Sequence, residues 1–267
     1  KSIEDLFNEN RKYIMGSNVP AQLAKAHVFI FKGNSDEITV ILKRDQFEQT
    51  KTIKRYEWSE INKETPKNIQ KFQILEDNIG YLNLGNIEKE EFDDIAKNVL
   101  STNSLIIDLR YGLNKTSQLL AKFITSKESH FYSSIHPCLD YPGRYIWTKG
   151  NSEKGENIPD YKGKVILLVN ESTQSNSEFT AMWLQTGENV VTVGSQTSGA
   201  DGNVTEFKMP GGIPTRITGV GIFYPDGTET QRTGIKIDVV VNPTIEGLVA
   251  GKDEQLEKAI EVATNKN

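Results

Sequence analysis

Apolar and polar positions alternate in two different ways along the chain. Val19 to Phe31 places Val19, Leu23, Ala26 and Phe29 at helical spacing, and Ser2 to Phe7 opens an earlier helix with Glu4 and Asp5 in its first turn. Gly33-Asn34-Ser35 is a turn signal, and Glu37 to Leu42 is a strand rich in β-branched residues. Residues 1 to about 60 therefore read as a small α+β unit that buries too little to be a complete domain. Thr50 to Lys71 is polar, holds Pro66, and reads as a connector. From Phe72 the pattern changes. Strands are predicted at Ile79–Leu84, Ser104–Leu109, Lys164–Val169 and Asn189–Gly194, with helices at Lys89–Leu100, Thr116–Ile124 and Ser175–Thr186. Continuous apolar strands between helices imply a mostly parallel sheet with both faces covered, in an α/β domain over 72–267. Residues 125 to 160 are polar and rich in Ser, Pro and Gly, and read as a surface excursion near the site. Residues 204 to 244 are Gly-rich and strand-like, and a last helix runs from about Asp253 to Ala263.

Composition narrows this picture. Of 267 residues, 36% are hydrophobic, enough for a core, and the net charge of -5 gives no basic face for nucleic acid. One cysteine, Cys138, permits no disulfide within the chain, and with only His27, His130 and His136 beside it a zinc site is not expected. No cofactor motif is present. No apolar run reaches membrane-spanning length, and peripheral membrane association is not indicated. The chain opens inside a helical pattern without an initiator Met, so it reads as a fragment.

Candidate chemistry concentrates at strand ends. In Leu168-Val169-Asn170-Glu171-Ser172-Thr173-Gln174-Ser175-Asn176-Ser177-Glu178 a buried strand ends, a polar loop follows and a helix begins. A nucleophile there is exposed at the sheet's carboxyl edge, beside free N–H groups that can hold an oxyanion. Yet Ser175 with Glu178 three residues on also fits a capping box, and on this segment alone the cap is the stronger reading. Asp108-Leu109-Arg110 fits a structural ion pair better than a site. Gly194-Ser195-Gln196-Thr197-Ser198-Gly199-Ala200-Asp201-Gly202 lacks the spacing of a phosphate loop. His130 and His136, in the polar excursion, read as surface residues.

In order, Gly80-Tyr81-Leu82, Ile107-Asp108-Leu109-Arg110, Ser175-Asn176-Ser177-Glu178, Gly194-Ser195-Gln196-Thr197-Ser198-Gly199, Pro225-Asp226-Gly227 and Gly234-Ile235-Lys236-Ile237-Asp238 resemble the tail-specific (C-terminal processing) serine peptidases. The resemblance covers about 72 to 263 and implies a crotonase/ClpP-like core. The first 60 residues resemble the second half of a PDZ domain. By this resemblance Ser175 is the nucleophile, and the backbone N–H groups of Asn176 and Asn114 hold the oxyanion, with Gly112 beside the second. Glu178, Glu229 and Thr197 are orienting or supporting residues.

Two departures stand out. Ala200 occupies the position of the family's dyad lysine, and Thr186 that of an acidic residue after the nucleophile helix. The tricorn-like branch also lacks that lysine and takes a His from a segment ahead of its PDZ domain. The resemblance thus implies a protein or peptide substrate, no metal, a base ahead of Lys1, an inactive fragment, and export to the periplasm or cell envelope. The alternatives are an inactive peptide-binding relative and a crotonase-like acyl-CoA enzyme, against which the motif order argues.

Overall fold

The computed structural model describes residues 1–44, 46–57, 60, 71–113, 117–125, 127–152 and 161–265. The chain divides into two units, Lys1–Ile69 and Gln70–Asn267.

In the first unit, α1 (Ile3–Asn10) starts on a reciprocal cap. The Ser2 hydroxyl accepts the Asp5 N–H and the Asp5 carboxylate accepts the Ser2 N–H, both at 3.0 Å. Helix α2 (Val19–Ile30) follows, then an antiparallel ribbon of β1 (Glu37–Arg44) and β2 (Phe47–Lys54). The core here is small, formed by Phe7, Ile14 and Ala26 with Ile30 against them. Strand β2 is a correction to the connector expected from Thr50. Every residue of β2 is exposed, so it carries none of the apolar alternation that marks a half-buried strand. Most of the remaining connector lies outside the described residues.

The second unit is built on a six-stranded sheet. Its first elements are β3 (Phe72–Leu75), β4 (Ile79–Asn83), α3 (Phe92–Val99), β5 (Ser104–Asp108) and α4 (Ser117–Ile124). Next come β6 (His130–Pro137), β7 (Tyr145–Asn151), β8 (Lys164–Val169), α5 (Asn176–Leu184) and β9 (Val190–Gly194). The chain closes with β10 (Val204–Met209), β11 (Ile213–Thr218), β12 (Gly221–Phe223), β13 (Val239–Val240), α6 (Ile245–Val249) and α7 (Glu254–Thr264). The sheet order is β13-β9-β8-β5-β4-β3; all neighbours are parallel except β3 against β4.

Strand β5 shows why its sequence is continuously apolar. Leu105 and Ile107 face one layer, with Phe92, Leu120, Phe123 and Trp183 from the helices α3, α4 and α5. Ile106 faces the other, with Ile166, Leu168 and Ala259 of α7. All three β5 side chains are fully buried, and each contributes about 1.5–3 kcal/mol by leaving water. Among the described residues no helix is long and apolar enough to cross a membrane.

The polar excursion expected at 125–160 is also corrected. Residues 130–151 fold into a hairpin, β6 and β7, whose open edge pairs with β12 to make a three-stranded sheet. Its turn uses Gly143 at φ 85°.

Candidate active site

Strand β8 ends at Val169, and a tight polar loop leads into α5. The Asn170 carbonyl accepts the Thr173 N–H at 2.9 Å and its side-chain oxygen accepts the Ser172 N–H at 2.9 Å. The Gln174 carbonyl then accepts the Ser177 N–H at 3.1 Å, closing a β-turn with Ser175 and Asn176 at its centre. Ser175 has φ 54° and ψ -119°. These are the torsions of the first central residue of a type II′ turn, a place that favours glycine. A serine held there costs on the order of 1–3 kcal/mol and persists only because its surroundings impose it. The residue is exposed. Among the described residues nothing accepts the N–H of Asn176, the first residue of α5, so it remains available at the positive end of the helix.

Glu178 is what imposes the turn. It is fully buried and accepts four hydrogen bonds. Ser175 N–H donates at 3.1 Å, the Thr197 hydroxyl at 2.6 Å, Gly199 N–H at 2.7 Å and Ala200 N–H at 3.0 Å. Burial pushes its carboxyl above the ordinary range, while those four donors pull it down. One side chain thus clasps the serine turn to the loop after β9. Gly199 is required in that loop. Its φ is 59°, and a Cβ there would lie 2.7 Å from the Arg232 backbone. Thr197 uses both capacities of its hydroxyl, donating to Glu178 and accepting the Ile235 N–H at 3.1 Å.

Ser175 opens onto a cavity of about 350 Å³, lined among others by Asn176, Phe179, Tyr132, His136 and Asp201. Asp201 follows the alanine that replaces the expected lysine. It is buried, its Oδ1 accepts the Gly202 N–H at 2.7 Å, and its enclosed Oδ2 has no partner among the described residues. Burial raises its carboxyl to about 7, against the Gly202 bond and with help from the Glu178 charge. Among the described residues no group of three or more His, Cys, Asp and Glu could hold a metal.

The other expected positions separate. Asn114 lies outside the described residues, while Gly112 is described at φ 88°. Glu229 is not among the residues lining this cavity; its carboxylate pairs with Arg232 at 2.8 Å. Asp108 and Arg110 form a buried structural pair at 2.8 Å. Tyr81 also donates to Asp108 at 2.7 Å, and Arg110 also reaches Asp253 at 2.8 Å. His136, Ser134 and Thr148 line the cavity although the excursion reading made His136 a surface residue. The missed signal is the period of two in Tyr132, Ser134 and His136, which places them on one face of β6.

A search of curated proteins finds no match. Solved structures share the fold at low identity. A protein from Parabacteroides merdae ATCC 43184 assigned as a peptidase aligns with TM-score 0.65 and 17% identity over 99% of this chain and 89% of its own. Mature CPAF aligns with TM-score 0.71 and 15% identity, over 96% and 73%. The photosystem II D1 C-terminal processing protease aligns with TM-score 0.52 and 16% identity, over 90% and 64%. The model of peptidase family S41 matches residues 78–241, more than half of the chain, and spans β4, the serine turn, the clasp and the cavity. The chain belongs to peptidase family S41, whose members are serine peptidases.

Proposed function

We propose that Ser175 is the nucleophile of a serine endopeptidase acting on unfolded or C-terminal segments of proteins. The observation that carries this reading is the strained, exposed Ser175 at φ 54°, next to an Asn176 N–H that no described residue accepts and over a cavity. Ser175 is also the N-cap of α5, with Glu178 accepting its N–H as the capping box expects, but a plain cap has extended torsions and needs no such strain.

The Ser175 hydroxyl loses its proton to a base as Oγ bonds to the scissile carbonyl carbon. The resulting oxyanion takes the Asn176 N–H, with Gly112 or Asn114 supplying a second donor. The C–N bond then breaks, the amine leaves with a proton, and water hydrolyses the Ser175 ester. Glu178 and Thr197 hold the turn and take no part in proton transfer. The resemblance taken alone would have the base come from a segment ahead of Lys1. It also supports a PDZ-like role for the first unit and export to the cell envelope.

A fluorophosphonate probe tests the reading. Covalent labelling that disappears in Ser175→Ala supports it. Labelling that persists in Ser175→Ala refutes it. Peptide binding with no labelling, even when free imidazole is supplied as a base, favours the inactive relative.

A further inference from the structure

Ala200 leaves the reaction without a proton acceptor at the position where the resemblance puts a lysine. The groups around the cavity differ sharply in their fitness to replace it. Glu178 already accepts four donors. Asp201 has one oxygen on Gly202 and the other sealed from solvent. Tyr132 presents a phenol, whose hydroxyl is a far poorer proton acceptor than an imidazole nitrogen. Among the described residues that line the cavity, what remains is His136, half-buried on the face of β6 that it shares with Tyr132 and Ser134.

We propose that His136 is the proton acceptor for Ser175, so that the chain carries its own base; this rests on the reading of Ser175 as nucleophile. The imidazole is held by a chain of hydroxyls. His136 Nε2 lies 2.9 Å from the Ser134 hydroxyl, which lies 2.7 Å from the Thr148 hydroxyl. Thr148 and Ser134 are paired across the β6–β7 ladder, and the Thr148 hydroxyl donates to the Ser134 carbonyl at 3.5 Å. Running the donors in one direction uses every group. Nε2–H gives to Ser134, Ser134 gives to Thr148, and Thr148 gives to the Ser134 carbonyl. This order puts the ring proton on Nε2 and leaves the Nδ1 lone pair open; no described residue donates to it. The hydroxyls orient the ring as a carboxylate orients the imidazole in a serine triad.

The proton balance closes. The Ser175 proton passes to Nδ1 across the cavity that both residues line as the Oγ–C bond forms. The imidazolium returns that proton to the amine nitrogen as the C–N bond breaks. An ester on Ser175, a free amine and neutral His136 remain.

The test is the rate of fluorophosphonate labelling of the 267-residue chain, with thermal unfolding run on every variant. His136→Ala and His136→Gln are expected to label about 100-fold more slowly or worse, at unchanged unfolding temperature. Free imidazole restores rate to His136→Ala. His130→Gln, whose ring sits on Ser133 at 3.2 Å away from this cavity, labels like the parent chain. Equal labelling by the His136 variants overturns the proposal and leaves Ser175 as nucleophile. So does a parent chain that labels only when imidazole is added. A chain that stays unlabelled even with imidazole overturns the Ser175 reading and this proposal with it.

Discussion

The Thr197 hydroxyl donates to Glu178 at 2.6 Å across the gap between the loop after β9 and the first turn of α5. The same carboxylate holds the N–H of Ser175, so the backbone geometry of the serine depends on a group three residues away and on a second segment of chain. Glu178→Gln replaces one acceptor oxygen by an NH2 facing N–H donors. Loss of about 2–4 kcal/mol in urea unfolding is expected, together with slower labelling of Ser175. Unchanged unfolding and labelling would show that the clasp is not needed.

Ser175→Gly and Ser175→Ala should separate strain from chemistry. Glycine accepts φ 54° freely, which recovers the strain of about 1–3 kcal/mol less about 0.5–1 kcal/mol of backbone entropy. A net gain of about 1 kcal/mol is expected, a rise of roughly 2–4 °C in the unfolding midpoint. Alanine keeps the positive φ and gains nothing. Differential scanning calorimetry of the two variants reads the difference, and neither should label.

Asp201 makes stability depend on pH. Its folded carboxyl titrates near 7 and its ordinary value is 3.8. The native state therefore binds the proton more tightly than the unfolded chain does. The stabilising contribution is complete below about pH 4 and is lost as pH rises to 7. A shift of about three units at 1.36 kcal/mol each sets the loss at no more than about 4 kcal/mol. Asp201→Asn should remove this slope and be more stable than the parent at pH 8. Denaturant midpoints at pH 5 and pH 8 measure it, and parallel curves for the two proteins would count against the assignment.

Arg110 compensates Asp108, which is fully buried at the end of β5. Arg110→Ala leaves that carboxylate with the Tyr81 hydroxyl and the backbone N–H of residue 110 but no counter-charge, at a cost of about 3–5 kcal/mol. Arg110→Lys should not recover it. The guanidinium forks onto Asp253 through Nη1 and Nη2, both at 2.8 Å, while also reaching Asp108, and one ammonium cannot match that geometry. Urea unfolding of both variants checks the order.

The sequence revealed the buried sheet well because burial on both faces demands unbroken apolar runs such as Leu105-Ile106-Ile107 and Ile166-Leu167-Leu168. It singled out Ser175 as a candidate nucleophile only through the order of several weak motifs, since a cap and a nucleophile use the same residue types. The hairpin was hidden for a physical reason. Its strands line a cavity, and Tyr145, Ile146 and Trp147 are exposed, so no apolar stripe marks an inner face. His136 was lost with it. The four donors on Glu178 come from residues as far as Ala200, and no local pattern reports such a convergence.

One carboxylate that ties Ser175, Thr197, Gly199 and Ala200 together also removes a hinge. The loop after β9 cannot swing to admit a bulky peptide without dragging the serine turn along. Substrate must adapt to a stiff jaw on this side of the cavity, and whatever yields on binding has to come from the opposite wall, where β6 and β7 are held by two strand ladders rather than by a buried charge.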